Sequence, residues 1–457
     1  MVLHPAPSLE PRRGGDGSQA RSGDAWTSLF IARSPPEPHP AVIQDIAVAV
    51  ILVGTLAGIL IRSWGRSEAW PAAIGALLVV AIGAVGLDDI RATVEQTADV
   101  LLFLLGMMLL SWVADQAGVF AWLAEGCAVM ARGSGPALFA AVVVLAAVVT
   151  ALLSLDTTVI MLTPIVYRLA VRRELDPLPM LFACVFVANI GSLLLPVSNL
   201  SNLLMYRRLE LDFGEFAAMM WSLDLVAVAA TGLVLALLFR RRIPRRFAAA
   251  GDGFPAVDRW LVGVAAGVLV TLGLLIGFGL ADRALAGPAL AGAAVLVTAG
   301  LVTRRLTIRE AARAVSWNVF VFVAAMTLLV RGVEGTLLDG VVVPLPTDPV
   351  AALWGSALVA TAGSNVINNL PMAVLALSFL PPARDAAGDA LAVGTLLGTN
   401  IGSSLTTFGS LATILWLDQL RARGVVITTR DYLRVALVVT PVVLVVTLLA
   451  ATLMFLR

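Results

Sequence analysis

From residue 42 to the C terminus the sequence is a succession of apolar stretches. Each approaches the roughly 20 residues that a helix needs to cross a bilayer. Nothing constrains the fold more. In lipid the backbone must satisfy its own hydrogen bonds, so such stretches form helices, and a series of them forms a bundle. Composition agrees: 59% of residues are hydrophobic and 13% charged, where soluble domains run at about 45–50% and about 25%. Mean hydropathy is +0.94. These values exclude a soluble enzyme, a nucleic-acid binder, a disordered scaffold and a single-span anchor. The expected class is an all-α polytopic membrane protein of about ten spans, placed in the cell inner membrane.

Cys127 and Cys184 are the two cysteines, too few for a disulfide framework or a thiolate metal site. His4 and His39 lie in the N-terminal tail, so no histidine serves a metal or cofactor within the membrane. No cofactor is expected. All 31 basic residues are arginine, which reads as codon bias, and a net charge of +1 says nothing of partners.

Three regions follow. Residues 1–41, rich in Pro, Gly, Ser and Arg, read as a disordered tail without the apolar core of a secretory signal. Residues 42–247 and 248–457 read as two transmembrane repeats, divided at the basic loop RRRIPRRF (240–247). ANIGSLLLPVSNLSNLL (188–204) aligns with TNIGSSLTTFGSLATIL (399–415). Asp99, Val100, Phe103 and Met107 likewise face Asn318, Val319, Phe322 and Met326.

The first half reads as spans near 42–62, 69–86 and 98–117 and a helix pair, 136–153 and 157–171, meeting at SLDTT (154–158). A helix near 178–195 broken at PVSN and a span near 220–239 complete it. The second half reads as spans near 258–281, 287–303 and 315–331, then a pair meeting at GSNVINNLP (363–371). A broken helix over 389–420 and a last span near 432–455 follow. Cytoplasmic loops concentrate arginine. With both pairs treated as re-entrant hairpins, most arginines fall on the side of loop 240–246. Each half then crosses five times and the halves have opposite orientation, the inverted-repeat plan of secondary transporters.

Polar breaks inside a membrane survive where they line protein or a water-filled cavity, and broken helices place free N–H and C=O groups at its midplane. The candidate solute partners are Ser154, Thr157, Asn189, Ser192, Ser198, Asn199, Asn202, Asn365, Asn368, Asn369, Asn400, Ser403, Thr406, Thr407 and Ser410. Close helix packing by small polar residues is the other account of these positions. Asp156, at the first hairpin tip, stands out, because an intramembrane carboxylate is costly and functional by default. It is expected to carry a coupling proton, to cap helix 157–171, or both. Its counterparts, Asn368 and Asn369, are neutral. Asp99, Asp115, Asp224 and Asp418 fall near expected span ends and read as interfacial or capping residues. The cysteines read as packing.

GSLATILWLDQLRARGVVITTRDYLRVALVVTPVVLVVTLLAATL (409–453), LTPIV (162–166), LPVSNLSNLL (195–204), NNLP (368–371) and LFRRRIP (238–244) resemble bacterial arsenite/antimonite efflux permeases of the ion-transporter superfamily. The resemblance covers nearly all of the chain after residue 42. It implies a two-repeat fold with a scaffold and a mobile domain, often a homodimer. It also implies export of trivalent arsenic or antimony hydroxide, driven by inward proton flow as an antiporter or through an ATPase subunit. The chain departs from the family at Leu155 and Thr157, where Asn and Gly flank the acid. It departs again at Asn189 and Asn400, where an acid is common, and at Ser403 and Ser404, where Pro–Lys is usual. Neutral arsenite trihydroxide needs hydroxyl and amide partners, which the breaks supply. The alternatives are a permease for another small anion such as a dicarboxylate, and a sodium/proton exchanger. Neither break holds an arginine to meet an anion. A membrane-embedded enzyme would need a nucleophile–base or metal constellation that the apolar segments lack.

Overall fold

The computed structural model describes residues 40–61, 69–209, 211–248, 254, 256–337, 345–380 and 385–456. The expected tail lies outside the described residues apart from Pro40 and Ala41, as do Arg62, Arg66, Arg384 and Arg457. Residues 44–457 form one compact unit. Among the described residues the regular structure is helical, and the one isolated β-bridge joins Ser134 to Arg246.

The first half opens with α1 (Pro40–Ile61), α2 (Ala69–Ala81) and α3 (Leu87–Gln116). α4 (Val119–Met130) and α5 (Gly135–Leu152) follow, then a short turn, α6 (Leu155–Thr157), a π-helical turn over Thr158–Leu162, and α7 (Thr163–Arg172). α8 (Leu178–Ile190) breaks into a 3₁₀ turn at Pro196–Ser198 before α9 (Leu200–Arg208), and α10 (Phe213–Leu238) closes the half. The second half runs through α11 (Arg259–Leu280), α12 (Ala286–Val302), a short α13 (Ile308–Ala314), α14 (Trp317–Glu334), α15 (Pro349–Ile367) and α16 (Asn369–Leu377). It continues with α17 (Ala386–Asn400), a 3₁₀ turn at Gly402–Leu405, α18 (Leu411–Arg421) and α19 (Thr429–Phe455). Among the described residues seven helices (α3, α5, α10, α11, α14, α15 and α19) are long and apolar enough to cross a membrane, and five shorter apolar helices accompany them.

Three expectations shift. α3 begins at Leu87 and α10 at Phe213, ahead of the spans expected from residues 98 and 220. In both, amphipathic turns continue the helix beyond the apolar stretch that marks it in the sequence. α4 had no expected counterpart. It has 12 residues, too few to span, and starts at Gly118, whose φ of +81° takes the left-handed turn after α3 that a side chain would strain. Its Glu125 lies between Arg172 and Arg173 of the α7 end, at 2.5 and 2.9 Å.

That clamp marks one edge of the molecule. There Phe247 N–H donates to the Gly133 carbonyl at 2.9 Å, and Arg242 pairs with Asp176 at 3.1 Å. The start of α5, the end of α7 and loop 240–247 therefore lie together, and α5–α7 is a hairpin whose two ends share a face.

α2 packs on α14 and α3 on α12, while α10 packs on α19. The broken helices α8 and α17 are enclosed: Pro179–Ile190 and Ala390–Asn400 are buried throughout. α17 and the turn after it reach α15 through Gly394, Gly398 and Gly402, at four-residue spacing. A Cβ on Gly398 would stand 2.5 Å from the Ala357 carbonyl, so the small-residue stripe sets the backbone approach. The outer faces invert the soluble pattern: Val50, Val53, Leu269 and Val270 are each more than 60% exposed, as lipid contact requires.

Candidate functional site

Two hairpin tips and two helix breaks converge on one cavity. At the first tip the chain reverses through Ser154, a non-glycine residue at φ +148°. Ser154 Oγ accepts the Thr157 N–H at 3.3 Å, capping the next helix. At the second tip Asn368, at φ +77°, caps α16 by accepting the Leu370 N–H at 3.4 Å. Such backbone strain on non-glycine residues clusters at functional sites. Thus Ser154, not Asp156, stands where Asn368 stands. The cap expected of Asp156 belongs to Ser154, two residues earlier, and among the described residues the Asp156 carboxylate accepts no hydrogen bond.

The first tip is held from behind by hydroxyls: Ser111 to Thr157 at 2.8 Å and Thr150 to Thr158 at 2.8 Å. The π turn that follows makes room for Pro164, which cannot donate to the preceding turn and whose ring crowds its carbonyl. Thr163 Oγ1 donates to the Thr158 carbonyl at 3.1 Å within that turn.

The breaks brace each other across the two halves. Asn400, at the end of α17, accepts from Ser192 Oγ at 2.8 Å and Asn199 Nδ2 at 2.5 Å, and donates to Asn202 Oδ1 at 3.1 Å. All three partners flank the first break. Asn189, at the end of α8, accepts from Ser410 Oγ at 2.6 Å and donates to Thr413 Oγ1 at 3.2 Å. Those partners open α18, after the second break. Asn202 Nδ2 also donates to the Ser192 and Leu195 carbonyls, at 2.6 and 3.2 Å. Asn365 clamps the second break, donating to the Gly402 carbonyl at 2.8 Å and accepting from Thr406 N–H at 2.9 Å.

The cavity between these elements has a volume of about 60 Å³. Its polar lining is Ser154, Asp156, Ser198, Asn199, Asn369 and Ser410. Phe103, Leu104 and Met107 of α3 and Val319 of α14 form an apolar wall. The other sequence candidates lie behind this lining. Asn189, Ser192 and Asn400 belong to the braces, and Thr157 turns to Ser111. Asn365 and Asn368 hold the second break, where Asn368 Nδ2 donates to the Phe408 carbonyl at 2.9 Å. Ser403 Oγ donates to the Asn400 carbonyl at 3.2 Å, and Thr407 is buried nearby.

Sequence reasoning undervalued Asp224. It is buried well inside α10, where its Oδ1 accepts the Leu193 N–H at 3.1 Å and so closes the first break. Its depth was hidden by the amphipathic start of α10. Counted from the capping boxes at Asp212 and Thr428, its place in α19 is taken by Thr440, also buried. Asp99 too lies within a helix, α3, and Asp418 pairs with Arg421 at 3.2 Å. Cys127 and Cys184 are free and buried.

An all-helical, multi-pass bundle whose broken helices and hairpin tips enclose a small cavity with a few convergent polar groups is a membrane transporter of the bacterial inner membrane, acting on a small-molecule substrate. The chain belongs to the citrate transporter family, which matches residues 49–398. Over 414 residues it is 30% identical to the arsenical pump membrane protein of Yersinia enterocolitica, covering 85% of this chain and 94% of that one. To the arsenical pump membrane protein of Escherichia coli it is 29% identical over 425 residues, 89% of this chain and 98% of the other. The YdaH transporter of Alcanivorax borkumensis shares the fold at a TM-score of 0.52 and 14% identity, over 91% of this chain and 98% of that one.

Proposed function

We propose that the chain exports arsenite or antimonite as the neutral trihydroxide, in exchange for protons, with Asp156 as the shared site. The observation that carries this reading is a carboxylate without a hydrogen-bond partner among the described residues, facing a cavity of about 60 Å³ otherwise lined by hydroxyls, amides and apolar groups. A trihydroxide has four heavy atoms and three O–H donors. Asp156 accepts from two of them, and Ser198, Asn199, Asn369 and Ser410 serve the rest. Protonation turns one of the two accepting oxygens of Asp156 into an O–H donor, so proton and solute compete for one group. Competition at an alternately exposed site is exchange: the solute binds from the cytoplasm, and a proton from outside displaces it.

The five-crossing repeats of opposite orientation, joined at cytoplasmic loop 240–247, supply the alternation in this reading. Its support is the matched order of elements, the reciprocal Asn189 and Asn400 braces, and the pairing of α2 with α14 and α3 with α12. The residues expected to bind solute directly narrow to the cavity's polar lining. The others from the sequence set hold its walls. A tricarboxylate such as citrate fits the cavity poorly, because it would meet a carboxylate and no arginine.

Uptake of arsenite into everted vesicles tests this. Uptake is expected with an acid interior, is lost when the gradient is collapsed, and is lost in Asp156→Asn at equal expression. Uptake that persists on ATP without a gradient would instead assign the drive to an ATPase subunit. Uptake of citrate, or sodium-dependent proton movement, with no arsenite uptake would overturn the reading.

A further inference from the structure

A groove of about 590 Å³ runs between α5 and α10, and none of its lining residues belongs to the cavity just described. Its lining includes small apolar residues, Ala140, Ala229, Gly232 and Ala236. Its rims are Val144, Leu225 and Leu233, each about 60% exposed. At one end the lining changes character and is closed by Arg240 and Arg245.

These arginines sit on a built loop. The Ser134–Arg246 bridge and the Phe247 to Gly133 bond fix the strand after Pro244 against the start of α5. Arg242 is turned away into its pair with Asp176. Arg240 and Arg245 have no acidic partner among the described residues and remain at the groove mouth.

We propose that this groove binds one anionic phospholipid, with an acyl chain along α5 and α10 and the phosphate between Arg240 and Arg245. The shape and charge match that occupant alone among membrane components. An apolar trough lying along the helices accepts a chain, and basic pockets between transmembrane helices at the interface accept anionic headgroups. Guanidinium forks bind phosphate oxygens in pairs. A zwitterionic lipid would fill the trough and leave its cation opposed to the arginines. Because α5 is the first arm of the hairpin that carries Asp156, the lipid sits against that hairpin. The site is independent of which solute the cavity takes.

The test is native mass spectrometry of the full chain, delipidated and exposed in turn to phosphatidylglycerol, phosphatidylcholine and glycerol phosphate. One phosphatidylglycerol is expected to be retained in preference to phosphatidylcholine. Arg240→Gln with Arg245→Gln should weaken retention about 30-fold, as for two arginines at a membrane surface. Ala229→Phe keeps both arginines and fills the exposed trough, and should abolish chain binding while leaving the thermal midpoint of the lipid-free protein near wild type. Equal retention of both lipids, retention unchanged in both variants, or binding of glycerol phosphate as tight as that of the lipid would overturn the proposal. So would a chemical cross-link showing the groove covered by a second copy of the chain.

Discussion

Asn400→Leu separates bracing from solute binding. Leucine matches asparagine in shape and removes two donors and an acceptor. Ser192 keeps another acceptor, the Asn189 carbonyl at 2.8 Å, and Asn199 keeps a longer bond to Ser192 at 3.4 Å. Asn202 Oδ1 is left with no donor, since its bond is the one from Asn400. A single interhelical hydrogen bond in a bilayer averages about 0.6 kcal/mol, but a buried orphan costs about 1–3 kcal/mol. One full orphan and one weakened donor therefore predict a loss of about 2–3 kcal/mol. The double change Asn400→Leu with Asn202→Leu removes both ends of the broken bond but also takes the Asn202 donor from the Ser192 carbonyl, so it should recover none of the loss. Reversible unfolding in mixed micelles measures the stabilities, and arsenite binding to purified protein is the second readout. If Asn400→Leu leaves stability within about 0.5 kcal/mol of wild type while binding disappears, Asn400 faces the solute and the brace argument fails.

Three further outcomes are expected. Asp156→Glu should retain partial gradient-driven uptake with a displaced pH profile where Asp156→Asn has none; equal activity of the two would remove the carboxylate from the exchange. Glu125→Gln leaves Arg172 and Arg173 without their shared anion, and its partly buried position predicts a loss of about 1–2 kcal/mol. A salt titration of the melting midpoint checks it, since wild type should lose stability with salt and the variant should not. Gly398→Leu forces a side chain into the Ala357 carbonyl and Ala360; it should eliminate the monodisperse peak in size exclusion, and a normal peak would show that α15 and α17 can separate.

Hydropathy alone located most of the spans, because each long helix carries one uninterrupted apolar stretch. It missed α4, which is short and interrupted by Glu125, and it missed the polar first turns of α3 and the start of α10 around Glu215. The duplicated NIGS tetrad drew attention to Asn189 and Asn400, yet residue type does not say whether an amide faces a solute or a neighbour. That depends on partners at sequence separations such as the 221 residues between Asn189 and Ser410, which no local period encodes. Asp156 was legible as a costly carboxylate. Its freedom was not, because Ser154 and Asp156 are both good cap residues and only the backbone at φ +148° decides between them.

The wall opposite Asp156 suggests where motion occurs. Phe103, Leu104 and Met107 of α3 and Val319 of α14 meet the tips through apolar contact, which slides without breaking hydrogen bonds. The polar link from α3 to the first tip is Ser111 Oγ to Thr157 Oγ1 at 2.8 Å. If the α2–α3 and α12–α14 helices are the stationary surface, that bond breaks each time the hairpin moves. Ser111→Ala then removes part of the barrier. Thr157 keeps its contact with Ser154 at 3.1 Å, so the ground state should lose no more than about 1 kcal/mol. A barrier lowered by up to about 1 kcal/mol raises turnover by as much as about fivefold, with arsenite affinity unchanged. Stopped-flow uptake into proteoliposomes at saturating arsenite, paired with equilibrium binding, measures both. Weaker binding at unchanged turnover would place Ser111 in the solute site and would fix α3 to the moving part of the protein.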